Sequence, residues 1–253
     1  AIPFDLVDGD QIRLTATDDV GNQALVSFVD RFLPRSYSTD TIQVSDGFME
    51  RVVPAIMAAT PGIEDQGDLL QNYLWINGEL RSRNAQTLTE LAGDSKEEFL
   101  WHQVFMPMSN AQVMSSFADR RTYMYEGQEV DQQDHLGFDL ASVVHAEIEA
   151  ANSGVVALAR FFGIYGNAVV IDHGFGLMSL YGHLSSIAVS EEQTVERGQV
   201  VGRSGETGLA GGDHLHFTLL IQGQAVNPVE WWDAAWIRDR FAAKLGSAFD
   251  FQN

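Results

Sequence analysis

The 253-residue chain carries 15 basic against 35 acidic residues, a net charge of -20, with 45% hydrophobic and 20% charged residues. That length and balance suit a folded protein with a real core, built as one large domain or two smaller ones. So acidic a chain argues against nucleic acid as its main partner and against adhesion to an anionic membrane, while the absence of cysteine excludes disulfides, thiolate zinc sites and thiol catalysis.

No apolar run approaches the length of a membrane span, so no membrane insertion is expected of this chain. The start Ala1-Ile2-Pro3-Phe4 lacks the charged-then-apolar pattern of a signal and has no Met, which reads either as a processed product or as a trimmed piece, in both cases with any targeting segment lost.

In chain order, Ile12-Arg13-Leu14-Thr15-Ala16 alternates, Asp18 to Asn22 reads as a turn, and Ala24 to Val29 as a partner strand. Residues 1–38 are therefore expected to form a β-rich segment, and its Asp-rich, Gly-Asn turn resembles the closing strands of immunoglobulin-like modules. From Asp46, taken as a cap, Phe48, Met49, Val52, Val53, Ile56 and Met57 fall at helical spacing until Pro61-Gly62. A second helical stretch is expected from Asp68 to about Thr89, which makes residues 39–98 a helical connector. From Phe99 onward, short apolar strands alternate with glycine turns, as in Gly166-Asn167-Ala168-Val169-Val170-Ile171 and Gly176-Leu177-Met178-Ser179-Leu180-Tyr181. This density of strands indicates a mainly antiparallel sheet, followed after Pro228 by a C-terminal helix from Val229 to Leu245. The fold class is mainly β, with residues 99–253 as one domain.

The chemistry gathers around Gly211-Gly212-Asp213-His214-Leu215-His216-Phe217, which reads as the start of a strand. Residues two apart on a strand share a face, with α-carbons roughly 6.5–7 Å apart, so both imidazoles reach one small volume. His135 and Asp139 lie four apart in His135-Leu136-Gly137-Phe138-Asp139. A straight strand would hold them roughly 13 Å apart, too far for one ion, so a bend at Gly137 is expected to bring them together. His183, in Tyr181-Gly182-His183-Leu184-Ser185, stands at a strand end, where site groups are common.

Two histidines and a carboxylate with an open position match catalytic zinc, and the same set also fits a non-haem Fe(II) oxygenase. The oxygenase pattern wants its carboxylate two residues after the first histidine, and the cupin variant wants a glutamate where Leu220 and Ile221 stand. His-Glu-x-x-His is absent, and His145-Ala146-Glu147 lacks the Cys pair of zinc deaminases.

Taken in order, His135-x-Gly-x-Asp139, Gly166-Asn167-x-Val169-Val170-Ile171-Asp172-His173-Gly174, Tyr181-Gly182-His183-Leu184-Ser185 and His214-Leu215-His216 resemble the lysostaphin/LytM-type (M23) metallopeptidases. Val200 to Gly205 and Gly223 to Pro228 support the match, which covers about residues 100–233. The resemblance implies a zinc endopeptidase that uses one Zn2+ ion in a groove on an antiparallel sheet and cuts peptide cross-links of bacterial peptidoglycan with a metal-activated water. By position, His135, Asp139 and His216 match the zinc ligands, and His183 and His214 the two catalytic histidines. His173 matches a structural position, His102 and His145 are read as ordinary residues, and Tyr123 and Tyr125 are candidate oxyanion donors. Such a protein is expected in a bacterial periplasm, cell envelope or secretion, with peptidoglycan peptides as its partners. The alternative is a catalytically silent wall-binding module or an activator of wall amidases. Members of that kind usually lack one or more of the five residues, all of which are present here.

Overall fold

The computed structural model describes residues 4–6, 8, 9, 12–27 and 36–252. Strands β1 (Arg13–Thr17) and β2 (Gln23–Ser27) pair as an antiparallel hairpin with every residue exposed. Phe28 and Val29, expected to extend the second strand, lie outside the described residues. Asp18 closes the turn, accepting from the backbone N–H groups of Val20 and Asn22.

Strand β3 (Thr39–Gln43) precedes the helices and pairs in parallel with β5 (Asp119–Tyr125) of the following region, which β4 (Gln112–Ser115) introduces. Helix α1 (Asp46–Ala59) is capped by Ser45, whose hydroxyl accepts from Phe48 N, so the cap lies one residue before Asp46. Its spaced apolar residues Met49, Val52, Val53 and Ile56 are buried. Asp68 caps a second run that is helical to Gly93, with α2 (Leu69–Trp75) and α3 (Arg81–Gly93) joined by a π-helical turn at Ile76–Leu80.

Strands β6 (Gln128–His135), β7 (Phe138–Ala141), β8 (Glu147–Glu149), β9 (Gly154–Phe161), β10 (Asn167–Asp172) and β11 (Leu177–Leu184) follow. The chain then adds β12 (Ser186–Ile187), β13 (Thr194–Val195), β14 (Val200–Arg203), β15 (Leu215–Ile221) and β16 (Gln224–Val226). An eight-stranded sheet runs β13-β9-β10-β11-β15-β7-β4, with β16 also on β15. Two three-stranded sheets run β3-β5-β6 and β12-β14-β8, and among the described residues only the β3–β5 pair is parallel.

Strand β10 is apolar from Ala168 to Ile171 because both its faces are covered. Val169 and Ile171 join a core with Tyr181, Phe217, Trp101 and Trp231, whereas Ala168 and Val170 pack with Met178, Leu180 and Leu88 of α3. The C-terminal stretch is helical as expected, with one break at Trp232-Asp233 between α4 (Pro228–Trp231) and α5 (Ala234–Ile237), the latter continuing through a π-helical turn at Arg238–Ala242 to Leu245. The break arises because Asp233 turns extended and its carboxylate caps the second helix at Ala235 N and Trp236 N. Among the described residues no helix is long and apolar enough to cross a membrane.

Candidate metal and catalytic site

Strand alternation builds the site on β15. Leu215, Phe217 and Leu219 face the core, which sends His216 and Thr218 to the opposite side, with His214 just before the strand on the same side. Register then fixes the neighbours, since His216 pairs with Asp139 of β7 on one side and with Gly182 of β11 on the other.

His135 ends β6 and so belongs to a different sheet from Asp139. The chain bends between them at Leu136-Gly137, as the four-residue spacing requires. A Cβ on Gly137 would lie 2.6 Å from Thr218 Oγ1 and 2.7 Å from His216 Nε2, so only glycine lets the backbone pass this close. His183 reaches the site through another device. Tyr181 faces the core, and regular alternation would place His183 there too, but its φ of 64° turns the side chain into the cavity and returns Leu184 to the core. A left-handed backbone at a non-glycine residue costs roughly 1–2 kcal/mol and concentrates at functional positions.

His135 Nε2, His216 Nδ1 and Asp139 Oδ1 converge, with separations of 3.0, 3.0 and 2.9 Å. Each ring is held by its other nitrogen. His135 Nδ1 donates to the Ser116 carbonyl at 2.9 Å. His216 Nε2 donates to Thr218 Oγ1 at 3.0 Å, whose own proton goes to the Leu136 carbonyl at 2.9 Å. With those protons directed outward, two imidazole lone pairs and a carboxylate oxygen face one point. Three acceptors without a proton between them suit a cation, and the tautomers match what metal ligation requires. Burial pushes His216 down to about 4, so it is neutral, as a ligand must be. Burial alone would raise Asp139, but the three surrounding imidazoles hold it well below the usual carboxylate range. Its second oxygen, Oδ2, accepts from Arg121 Nη2 at 2.7 Å. Burial opposes the charge on Arg121, and Asp139 outweighs it and keeps the guanidinium protonated.

His214 and His183 stand side by side, with ring centroids 4.8 Å apart. His214 Nδ1 donates to the Gly212 carbonyl at 2.8 Å, and His183 Nδ1 to the Thr207 carbonyl at 2.8 Å, so both present Nε2 to the cavity. Burial and the neighbouring His214 and His216 hold His183 well below its usual value. His214 is also penalised by burial, yet Asp139 Oδ1, 3.5 Å from its Nε2, raises it above the usual value. Two adjacent imidazoles are thus pushed apart, one toward neutrality and one toward holding a proton, the division that acid–base chemistry uses.

All five residues line one cavity of about 460 Å³. Tyr123 lines it as well, whereas Tyr125 turns away and donates its hydroxyl to Asp46 at 2.8 Å. His173 is fully buried between the Ser153 carbonyl and Ser179 Oγ, and burial lowers it to about 4. Arg121, Thr218, Tyr165 and Arg81 are site neighbours that sequence reasoning did not single out. Tyr165 puts its ring 5.5 Å from that of His216.

The profile of peptidase family M23 matches residues 133–228. Peptidoglycan DD-endopeptidase ShyA of Vibrio cholerae is 33% identical over 168 residues, which cover 66% of this chain and 36% of ShyA. Murein hydrolase activator EnvC of Escherichia coli is 44% identical over 85 residues, 34% of this chain and 20% of EnvC. The chain thus spans about a third of the length of ShyA and a fifth of that of EnvC. The crystal structure of a Pseudomonas aeruginosa protein described as a peptidase M23 superposes with a TM-score of 0.51 at 26% identity, over 62% of each chain. The stretch from residue 133 to residue 228, which carries all five histidine and aspartate positions of the site, is a peptidase family M23 domain.

Proposed function

We propose that the chain is a zinc-dependent endopeptidase that hydrolyses peptide cross-links of bacterial peptidoglycan in the cell envelope. The observation that carries this reading is the convergence of His135 Nε2, Asp139 Oδ1 and His216 Nδ1 beside two further imidazoles. These three residues would hold one Zn2+ ion. Bound there, zinc supplies a Lewis acid that polarises a carbonyl and lowers the pKa of water. His183, kept neutral, offers Nε2 as an acceptor that orients the attacking water. His214 Nε2 takes up the proton, and Asp139 beside it stabilises the imidazolium. From that nitrogen the proton passes to the departing amine as the amide bond breaks. The similarity to a peptidoglycan DD-endopeptidase supports this substrate class.

The test is to strip the protein with a chelator, reload it with zinc and digest defined cross-linked muropeptides, weighing the products. Cleavage at the cross-link that disappears on chelation and returns with zinc is expected. A full zinc complement without cleavage of any wall substrate would instead favour a silent module or an activator of wall amidases; EnvC is named as a murein hydrolase activator. The complete set of five residues favours the enzyme.

Arg121 holds one oxygen of Asp139 and leaves the other free for the ion, with Ser115 Oγ bracing Nη2 at 2.8 Å. Arg121→Ala is therefore expected to weaken zinc binding by about 10- to 100-fold, measured by competition with a chromophoric chelator.

A further inference from the structure

We propose that Arg81, carried by the helical segment and outside the matched domain, binds a free carboxylate of the substrate and selects cross-links that bear an acid group beside the scissile amide. The identity of the peptide rests on the peptidase reading; the anion site rests on the geometry.

Arg81 lines the same cavity as the five histidine and aspartate residues. It is pre-positioned. Its Nε donates to the Asn77 carbonyl at 2.9 Å, and its Nη2 to Asn77 Oδ1 at 2.6 Å. Asn77 is itself fully buried and donates its Nδ2 to Asp131 Oδ2 at 2.7 Å. Asn77 lies in the π-helical turn Ile76–Leu80, which ends just before Arg81.

Both partners of the half-buried Arg81 guanidinium are neutral, and among the described residues no carboxylate pairs with it. The absence is telling in a chain with 35 acidic residues. Of the two acids that line the cavity, Asp139 is taken up by Arg121 and the histidines, and Asp40 sits exposed, accepting from Thr41 N. A half-buried guanidinium held in place and left without a carboxylate is set to receive one, and its planar donors match that group. An oligoglycine bridge carries no such group along its length. A cross-link through a diamino acid carries one, and the peptide C-terminus carries another.

Three peptides separate these sources: a cross-linked muropeptide dimer with both acids free, the same dimer amidated at the diamino-acid carboxylate, and the same dimer amidated at the C-terminus. Binding of each to the zinc-loaded protein is measured by calorimetry. One of the two amides is expected to bind roughly 10- to 100-fold more weakly than the parent, and Arg81→Gln to erase that difference. Arg81→Lys keeps the charge without the fork and is expected to restore only part of it. Zinc content and the unfolding temperature of each variant show that it is folded. Equal binding of all three peptides, no measurable binding of any, or a preference that survives Arg81→Gln overturns the assignment. A carboxylate preference without cleavage would leave Arg81 in its role and sink the peptidase reading instead.

Discussion

His214→Ala is expected to retain its zinc and lose turnover by about 10²- to 10⁴-fold, the usual worth of a positioned acid–base group. His216→Ala is expected to lose zinc affinity by more than about 100-fold, since removing a ligand exceeds the effect of removing an outer partner. The contrast follows from how the two rings are held. His216 turns Nδ1 toward His135 and Asp139, its other nitrogen fixed by Thr218, whereas His214 is anchored at Gly212 and approaches Asp139 Oδ1 only to 3.5 Å. Metal analysis of both variants, with kinetics on zinc-saturated protein, decides the matter. If His214→Ala also emptied the site, the division of labour within the pair would be wrong.

The largest effect on stability is expected at Gly174, far from the chemistry. Its φ is +94°, and a Cβ there would fall 1.7 Å from the backbone oxygen of Glu98. That contact is with main chain held in place by Leu100 N donating to His173 O and Phe175 N donating to Lys96 O, so it cannot rotate aside. Asp172 strengthens the same junction by accepting from Ser95 Oγ and Lys96 N. Backbone strain and overpacking together are expected to destabilise Gly174→Ala by about 2–5 kcal/mol, a fall in melting temperature of roughly 5–15 °C. Gly211→Ala is the control, because a Cβ there meets nothing within 4 Å. A Gly174→Ala protein that melted with wild type would show that residues 95–100 can detach without cost.

What was legible in the sequence was short-range. His135-x-Gly-x-Asp139 and His214-x-His216 announce themselves because spacing within one or two strands decides which side chains can meet. The glycine bend was readable for the same reason. Arg121, Thr218 and Arg81 were not, since their roles come from strand register and from the docking of a helix on a distant sheet. Nothing local says that Thr218 will bridge His216 to the Leu136 carbonyl. The parallel pairing of β3 with β5 joins residues roughly eighty positions apart, beyond any periodic signal. The C-terminal helix was legible, and only its break was not. Asp233 stood in plain view as a cap, but the Trp- and Ala-rich run around it looked continuous.

The division of the three convergent groups between two sheets has a thermodynamic consequence. His135 rides on the three-stranded sheet, Asp139 and His216 on the eight-stranded one. An ion held by all three therefore works as a clasp across the seam, and its affinity measures how well the sheets dock. At a free concentration 100 times its dissociation constant, such an ion would add about 2.7 kcal/mol to the docked state by mass action. Conversely, anything that pries the seam open would be felt at the site as lost metal, with no residue there having been touched.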